Sequence, residues 1–299
     1  MKKLVLVFAS AFFLFTVGLT AWLWVTFVGS PASSRSTEVI YEVVPGRPFA
    51  AVAQDLEERE VIRNAALFSL YARLGGDAGR MKVGEYLFRL NMTPNEVLRI
   101  LISGRSIGRN FTISEGLNMY EIADLVQTAG LGSKAEFLSL VQNPALIQSL
   151  LGEKLPSLEG YLFPETYQIT KYTDLKTLIQ AMVQRFLLNY AVLAPAVESS
   201  GFTRHQLVTL ASIVEKETGA PDERPLISSV FHNRLRKNML LQTDPTVLYA
   251  KARRAGTMVE ISITRADLRM EDSYNTYYRK GLPPGPIANP GFASIQAVL

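Results

Sequence analysis

The chain contains no cysteine. That excludes disulfide scaffolds, thiol nucleophiles and Cys-ligated zinc together, and it leaves the redox compartment open. Histidine is nearly as scarce: His205 and His232 are the only two in 299 residues, too few for a His-rich metal site. Tryptophan is confined to Trp22 and Trp24, so stacking against the apolar face of a ligand falls to Tyr and Phe elsewhere. An excess of one charge is also lacking. The formal net charge is +4, with no dense Lys/Arg run beyond the N-terminus, so nucleic acid is not indicated as a partner. A Ser/His/Asp triad, a phosphate-cradling glycine loop, a zinc motif, repeats and low-complexity tracts are likewise missing. Neither a metal nor an organic cofactor is expected.

What is present fits a folded protein. The hydrophobic fraction is 48% and the charged fraction 19%, and the length suits a membrane anchor plus two modest domains. After Lys2 and Lys3 an uncharged, mostly apolar run extends from Leu4 to Val28. It is longer than a signal-peptide core and matches the ~20 residues that span a bilayer. Trp22 and Trp24 fall near its far end, where an aromatic belt lies, and the two lysines hold the N-terminus in the cytoplasm. Residues 1–28 are therefore expected to be a cytoplasmic tip and single-pass anchor, with the body outside the cytoplasm; a cleaved signal peptide is the alternative.

The rest predicts an α+β protein. Residues 29–37, rich in Ser with Pro31, form a linker. Residues 38–106 follow as a β-α-α-β module of LysM-like size: strands at Glu38–Val44 and Val83–Leu90, helices near Pro48–Glu58 and Ala65–Leu74, and a short capped helix opening at Thr93-Pro94. Such a module binds glycan or acts as a spacer. A connecting α/β segment, 107–155, begins with a strand near Arg109–Ile113 and carries capping boxes at Asn118/Glu121 and Ser133/Glu136. From 156 to 299 a mixed helical/β domain is expected, with helices around Asp174–Tyr190, Thr203–Thr218 and Pro221–Lys237, then loops rich in amides, tyrosines and prolines of the kind that build a groove.

One residue stands out for chemistry. On the Thr203 helix, Leu207, Leu210, Ala211, Ile213 and Val214 make a broad apolar face. Glu217 lies three, four and seven residues after members of that stripe. Glu215, two residues earlier, projects roughly 200° away. A carboxyl on an apolar face is costly to ionise, so its pKa is expected to rise toward what a general acid needs. The plainer reading is a helix-end glutamate solvated at the rim of the core. Glu159 and Glu165 flank a Gly-Tyr-Leu-Phe-Pro stretch and either line a cleft or cap a turn; Asp244, before Pro245, suits a helix N-cap as well as a site.

At Ala211-Ser212-Ile213-Val214-Glu215-Lys216-Glu217-Thr218 the sequence resembles the endolytic murein transglycosylases, the MltG or YceG-like family. Further matching segments are Glu159-Gly160 with Leu162-Phe163-Pro164-Glu165-Thr166-Tyr167, Ser229-Val230-Phe231 with Asn233-Arg234-Leu235, Leu241 to Val247, Tyr274-Asn275-Thr276-Tyr277, and Gly281-Leu282-Pro283-Pro284-Gly285 with Pro286-Ile287. The order of anchor, LysM-like module and catalytic domain is similar too.

The resemblance implies endolytic cleavage of the β-1,4 bond between N-acetylmuramic acid and N-acetylglucosamine in nascent peptidoglycan strands, leaving 1,6-anhydro ends and terminating elongation. It places the catalytic role on Glu217, the second glutamate of Glu-Lys-Glu. Candidate substrate contacts are Glu159, Gln242, Thr243, Asp244, Tyr274 and Asn275. It further implies residence in the cytoplasmic (inner) membrane with the catalytic domain outside, and peptidoglycan synthases (penicillin-binding proteins) as partners. The family's catalytic domain continues for some tens of residues past the position of Leu299, so a C-terminally truncated domain is expected. Two rivals remain: a two-carboxylate glycoside hydrolase using Asp244, Glu159 or Glu165, and a non-catalytic glycan-binding scaffold.

Overall fold

A computed structural model describes residues 16–19, 22, 24–258 and 262–299. Most of the expected spanning run lies outside the described residues; residues 16–19 and 24–29 are helical. Among the described residues no helix is long and apolar enough to cross a membrane.

The chain divides into two compact units, residues 1–109 with 170–172, and residues 110–169 with 173–299. In the first, β1 (Glu38–Val43) pairs antiparallel with β2 (Gly84–Arg89), in a register that sets Tyr41 opposite Tyr86 and Val43 opposite Gly84. Between them run α1 (Phe49–Glu58) and α2 (Ala65–Leu74), and α3 (Pro94–Ser103) follows. The expected β-α-α-β order is thus present. The strands alternate burial with period two: Tyr41, Val43, Tyr86 and Phe88 face a core shared with Val52, Leu56 and Phe68. Helix α3 starts where the sequence indicates, with a capping box between Thr93 and Glu96 and Pro94 in the first turn.

The second unit is mostly helical. Its elements are β3 (Arg109–Thr112), α4 (Met119–Thr128), α5 (Lys134–Val141), α6 (Pro144–Leu151), β4 (Thr166–Ile169), α7 (Leu175–Ser200), α8 (Arg204–Glu217), α9 (Arg224–Arg236), α10 (Asp244–Ala255), α11 (Arg265–Leu268) and α12 (Phe292–Ala297). Strands β3 and β4 pair, and Ile113, Ile122 and Phe137 join Leu210 and Ile213 in a single core. The 110–155 stretch therefore belongs to this unit. Its apolar residues fill the same core as those after residue 156, and the division between the two units falls near Arg109. Helix α7 runs ten residues past the expected Tyr190, with Pro195 inside it.

Helix α8 organises the unit. The Thr203/Gln206 capping box fixes its start, and α9, α10 and α12 all pack on it. Every residue from Leu207 to Val214 is buried, Thr209 and Ser212 included. Burying each aliphatic side chain contributes about 1.5–3 kcal/mol. Gly160 serves the same packing: its φ is +85°, and a Cβ there would meet Pro286 Cγ at 2.5 Å and Val208 Cγ1 at 2.7 Å.

Candidate active site

Glu217 is the last residue of α8 and its side chain is exposed. The Thr243 hydroxyl donates to Glu217 Oε1. Thr243 is the residue from which α10 departs, and Asp244 is the first residue of that helix. The Tyr277 hydroxyl donates to Asp244 Oδ1 at 2.6 Å. That hydrogen bond, helped by burial and by the charges of Asp244 and Glu217, pushes the Tyr277 hydroxyl up to about 12, so it is a neutral donor near pH 7. Gln242 is exposed beside them with φ +50°. Such a left-handed backbone costs a non-glycine residue about 1–3 kcal/mol and persists only where surrounding bonds impose it. Here the Gln242 N–H donates to Thr276 O at 3.1 Å.

Glu217 does not lie on a buried face. Because α8 is enclosed on all sides, angular position does not decide burial; distance along the axis does. Glu217 emerges at the helix end into solvent, whereas Glu215 is the enclosed carboxylate, its side chain 5% exposed. Glu215 accepts from Arg224 at 3.3 Å and from the Gly291 N–H, at the start of α12, at 2.9 Å. Lys216 donates to Gly116 O at 3.0 Å. These two side chains anchor the last turn and leave Glu217 facing out. The burial expected for Glu217 is not there.

Three expected substrate contacts are also relocated. Glu159 is 2% exposed. It accepts from the Met119 N–H at the first turn of α4 at 3.0 Å and from Asn289 Nδ2 at 3.0 Å, a buried tie between segments. Burial pushes its carboxyl up to about 8, with the hydrogen bonds from Met119 and Tyr249 pulling the other way. Asn275 is fully buried, its amide donating to Asp267, Leu268 and Met270 carbonyls and accepting from the Tyr277 N–H. Its hydrogen-bonding capacity is spent on shaping the loop. Tyr274 is 8% exposed, packed against Tyr249 at 5.1 Å and under the Arg253 guanidinium at 5.2 Å. A sugar cannot reach its faces there. Thr243 is buried too, but its hydroxyl goes to Glu217. Gln242 and Asp244 remain open to a ligand.

The other candidates are structural. Glu165 pairs with Arg185 at 2.7 Å. Both ring nitrogens of His205 are occupied, by the Tyr161 hydroxyl at 3.0 Å and Pro284 O at 2.9 Å, while His232 Nε2 lies 3.0 Å from Val298 O. Among the described residues no group of His, Asp or Glu is arranged to hold a metal ion. Sequence reasoning missed Tyr277, although it ends a quoted motif, and it missed Arg224 and Asn289 entirely. Asn289 lies 130 residues from Glu159, a separation that no local pattern reports.

Comparison with known proteins identifies the family. The sequence model described as the YceG-like family matches residues 41–299. The endolytic murein transglycosylase of Bacillus subtilis is 32% identical over 279 residues, covering 88% of this chain and 76% of that protein. The protein of the same name from Streptococcus pneumoniae R6 is 29% identical over 89% of this chain, which spans 53% of its length. A crystal structure of a YceG-like protein from Listeria monocytogenes superposes with a TM-score of 0.59 at 31% identity, covering 87% of this chain and 89% of that one.

Proposed function

The chain belongs to the YceG-like family, and on that premise we propose that it is a lytic transglycosylase acting on peptidoglycan glycan strands, with Glu217 as its acid/base. The observation that carries this is the position of Glu217: an exposed carboxylate at the end of an enclosed helix, with one oxygen held by Thr243. As general acid, Glu217 gives its proton to the glycosidic oxygen as the C1–O bond of N-acetylmuramic acid breaks. As general base, the carboxylate takes the proton of that sugar's own C6 hydroxyl while this oxygen bonds to C1. The 1,6-anhydro ring closes, no water is consumed, and Glu217 ends protonated as it began. A hydrolase needs a second carboxylate to activate water or to act as nucleophile; an internal hydroxyl removes that need. Gln242 is the exposed amide placed to bind a sugar hydroxyl or acetamido group.

Asp244 supports a second reading. It is exposed at the same site and bonded to Tyr277, so a two-carboxylate hydrolase remains the alternative. Digesting uncrosslinked glycan strands with the full chain and identifying the new ends by mass spectrometry tests both. Anhydro ends support the transglycosylase, reducing ends the hydrolase, and intact strands that stay bound a non-catalytic scaffold.

The length of the apolar run before Gly29 and the preceding lysines support a single-pass anchor with the body outside the cytoplasm. The β-α-α-β unit then sits as a LysM-like glycan module near the synthases that extrude nascent strands.

A further inference from the structure

Three buried threonines lie behind Glu217: Thr243 is 1% exposed, Thr246 0% and Thr276 2%. Each hydroxyl has one hydrogen to give and two lone pairs to accept with, and this settles the direction of every bond among them. Thr246 Oγ1 is 2.7 Å from the Thr243 carbonyl, which only accepts, so the Thr246 hydrogen is committed there. The 2.8 Å contact between the Thr246 and Thr276 hydroxyls must then be donated by Thr276. Thr276 Oγ1 in turn accepts from the Thr243 N–H at 3.1 Å. The bonds close into a ring that runs one way: Thr243 N–H to Thr276 hydroxyl, to Thr246 hydroxyl, to Thr243 carbonyl. Bonds aligned head to tail polarise and strengthen one another.

The ring grips both peptide groups of Thr243 and uses every hydroxyl hydrogen but one. The hydrogen left over is that of Thr243 itself, and it points to Glu217 Oε1. We propose that Thr246 and Thr276 are positioning residues for the reaction, fixing Thr243 as an obligate donor that holds one carboxylate oxygen of Glu217 and leaves the other for proton transfer. This rests on the reading of Glu217 as the acid/base. Nothing in the ring faces substrate, so its loss acts on orientation at the reacting atoms rather than on binding.

The test measures kcat and KM for anhydro-end formation by the full chain on uncrosslinked glycan strands. Thr246→Val and Thr276→Val keep shape and delete the hydroxyl; each lowers kcat by roughly 10- to 100-fold, the scale of a small misplacement of a catalytic group, while KM changes less than about twofold. Thr246→Ser and Thr276→Ser keep the hydroxyl and stay within about twofold of the parent. In a Thr243→Val background, which already lacks the donor, adding Thr246→Val costs less than about a further twofold, because coupled residues are non-additive. Folded valine variants with parental kcat overturn the proposal, as do serine variants as damaged as valine ones, or an undiminished Thr246→Val loss in the Thr243→Val background. If the valine variants in the ring do not fold, Thr246→Cys and Thr276→Cys take their place, since a thiol holds the volume but is a weak donor; each is expected to lower kcat several-fold, and parental kcat in folded cysteine variants, or in Thr243→Val, overturns the proposal. Glu217→Gln in the same assay separates the two levels. Activity in that variant defeats the acid/base reading itself; inactivity beside an unaffected Thr243→Val defeats only the ring.

Discussion

Glu215 and Glu217, two residues apart in the last turn of α8, stand in opposite environments. Glu215 is enclosed, paired with Arg224 and bonded to the N–H of Gly291, while Glu217 is exposed and takes a hydrogen bond from Thr243. The first carboxylate holds the helix end in place and the second is presented by it.

Replacing Glu217 by Gln keeps its shape and deletes proton transfer. Cleavage should fall by about 10²- to 10⁴-fold, the usual worth of a positioned acid/base. Stability should stay within about 0.5 kcal/mol because the side chain is exposed. Anhydro-end formation and a urea unfolding curve check both halves; normal cleavage by a folded variant sinks the assignment.

Glu215→Ala should act through stability. It strands the Arg224 guanidinium, whose side chain is 9% exposed and whose Nε already has no partner. Breaking a buried pair costs about 3–5 kcal/mol. The low end is expected, since Glu115 remains 3.6 Å from Arg224. The denaturation midpoint should drop with the m-value unchanged; a variant as stable as the parent contradicts this account of the helix end.

Glu159 should make stability pH-dependent. Its carboxyl is raised from 4.5 to about 8 in the folded chain, so above about pH 4.5 the unfolded chain releases a proton that the folded chain keeps. Its contribution is therefore full below about 4.5 and is lost as pH rises through about 8. Glu159→Gln removes this titration. Unfolding measured at pH 5, 7 and 9 should show the variant gaining on the parent as pH rises, and a constant difference would mean that Glu159 is ionised throughout.

Asp244→Asn separates the two glycosidase readings. In a transglycosylase it should retain at least about a tenth of the parental rate and still yield anhydro ends, because no second carboxylate acts. A loss of 10²-fold or more, or reducing ends from the parent enzyme, selects the hydrolase.

The proposed anchor makes a topological prediction. A reporter active only outside the cytoplasm should work when fused after Arg35, and the full chain should resist carbonate extraction from membranes. A soluble product beginning near Ser33 would identify a cleaved signal instead.

Local features were readable in the sequence because they depend on neighbours a few residues apart. The caps at Thr93, Asn118 and Thr203, the alternation in β1 and β2, and the helix that carries both glutamates follow from side chains meeting their own backbone. Three of the quoted motifs meet in space, where Glu217, Thr243, Asp244 and Tyr277 are joined by hydrogen bonds. Tertiary structure decided which residues of those segments face a ligand. Helical periodicity assigns a buried face only when a helix has one, and α8, packed by α9, α10 and α12, has none. Glu215 went inside because Arg224 and Gly291 are there to meet it, and Glu159 because Met119 and Asn289 are. Thr243 came to Glu217 through a ring that closes across 33 residues of chain. Such long-range pairings carry no period and no composition; they exist only once the core has brought the segments together.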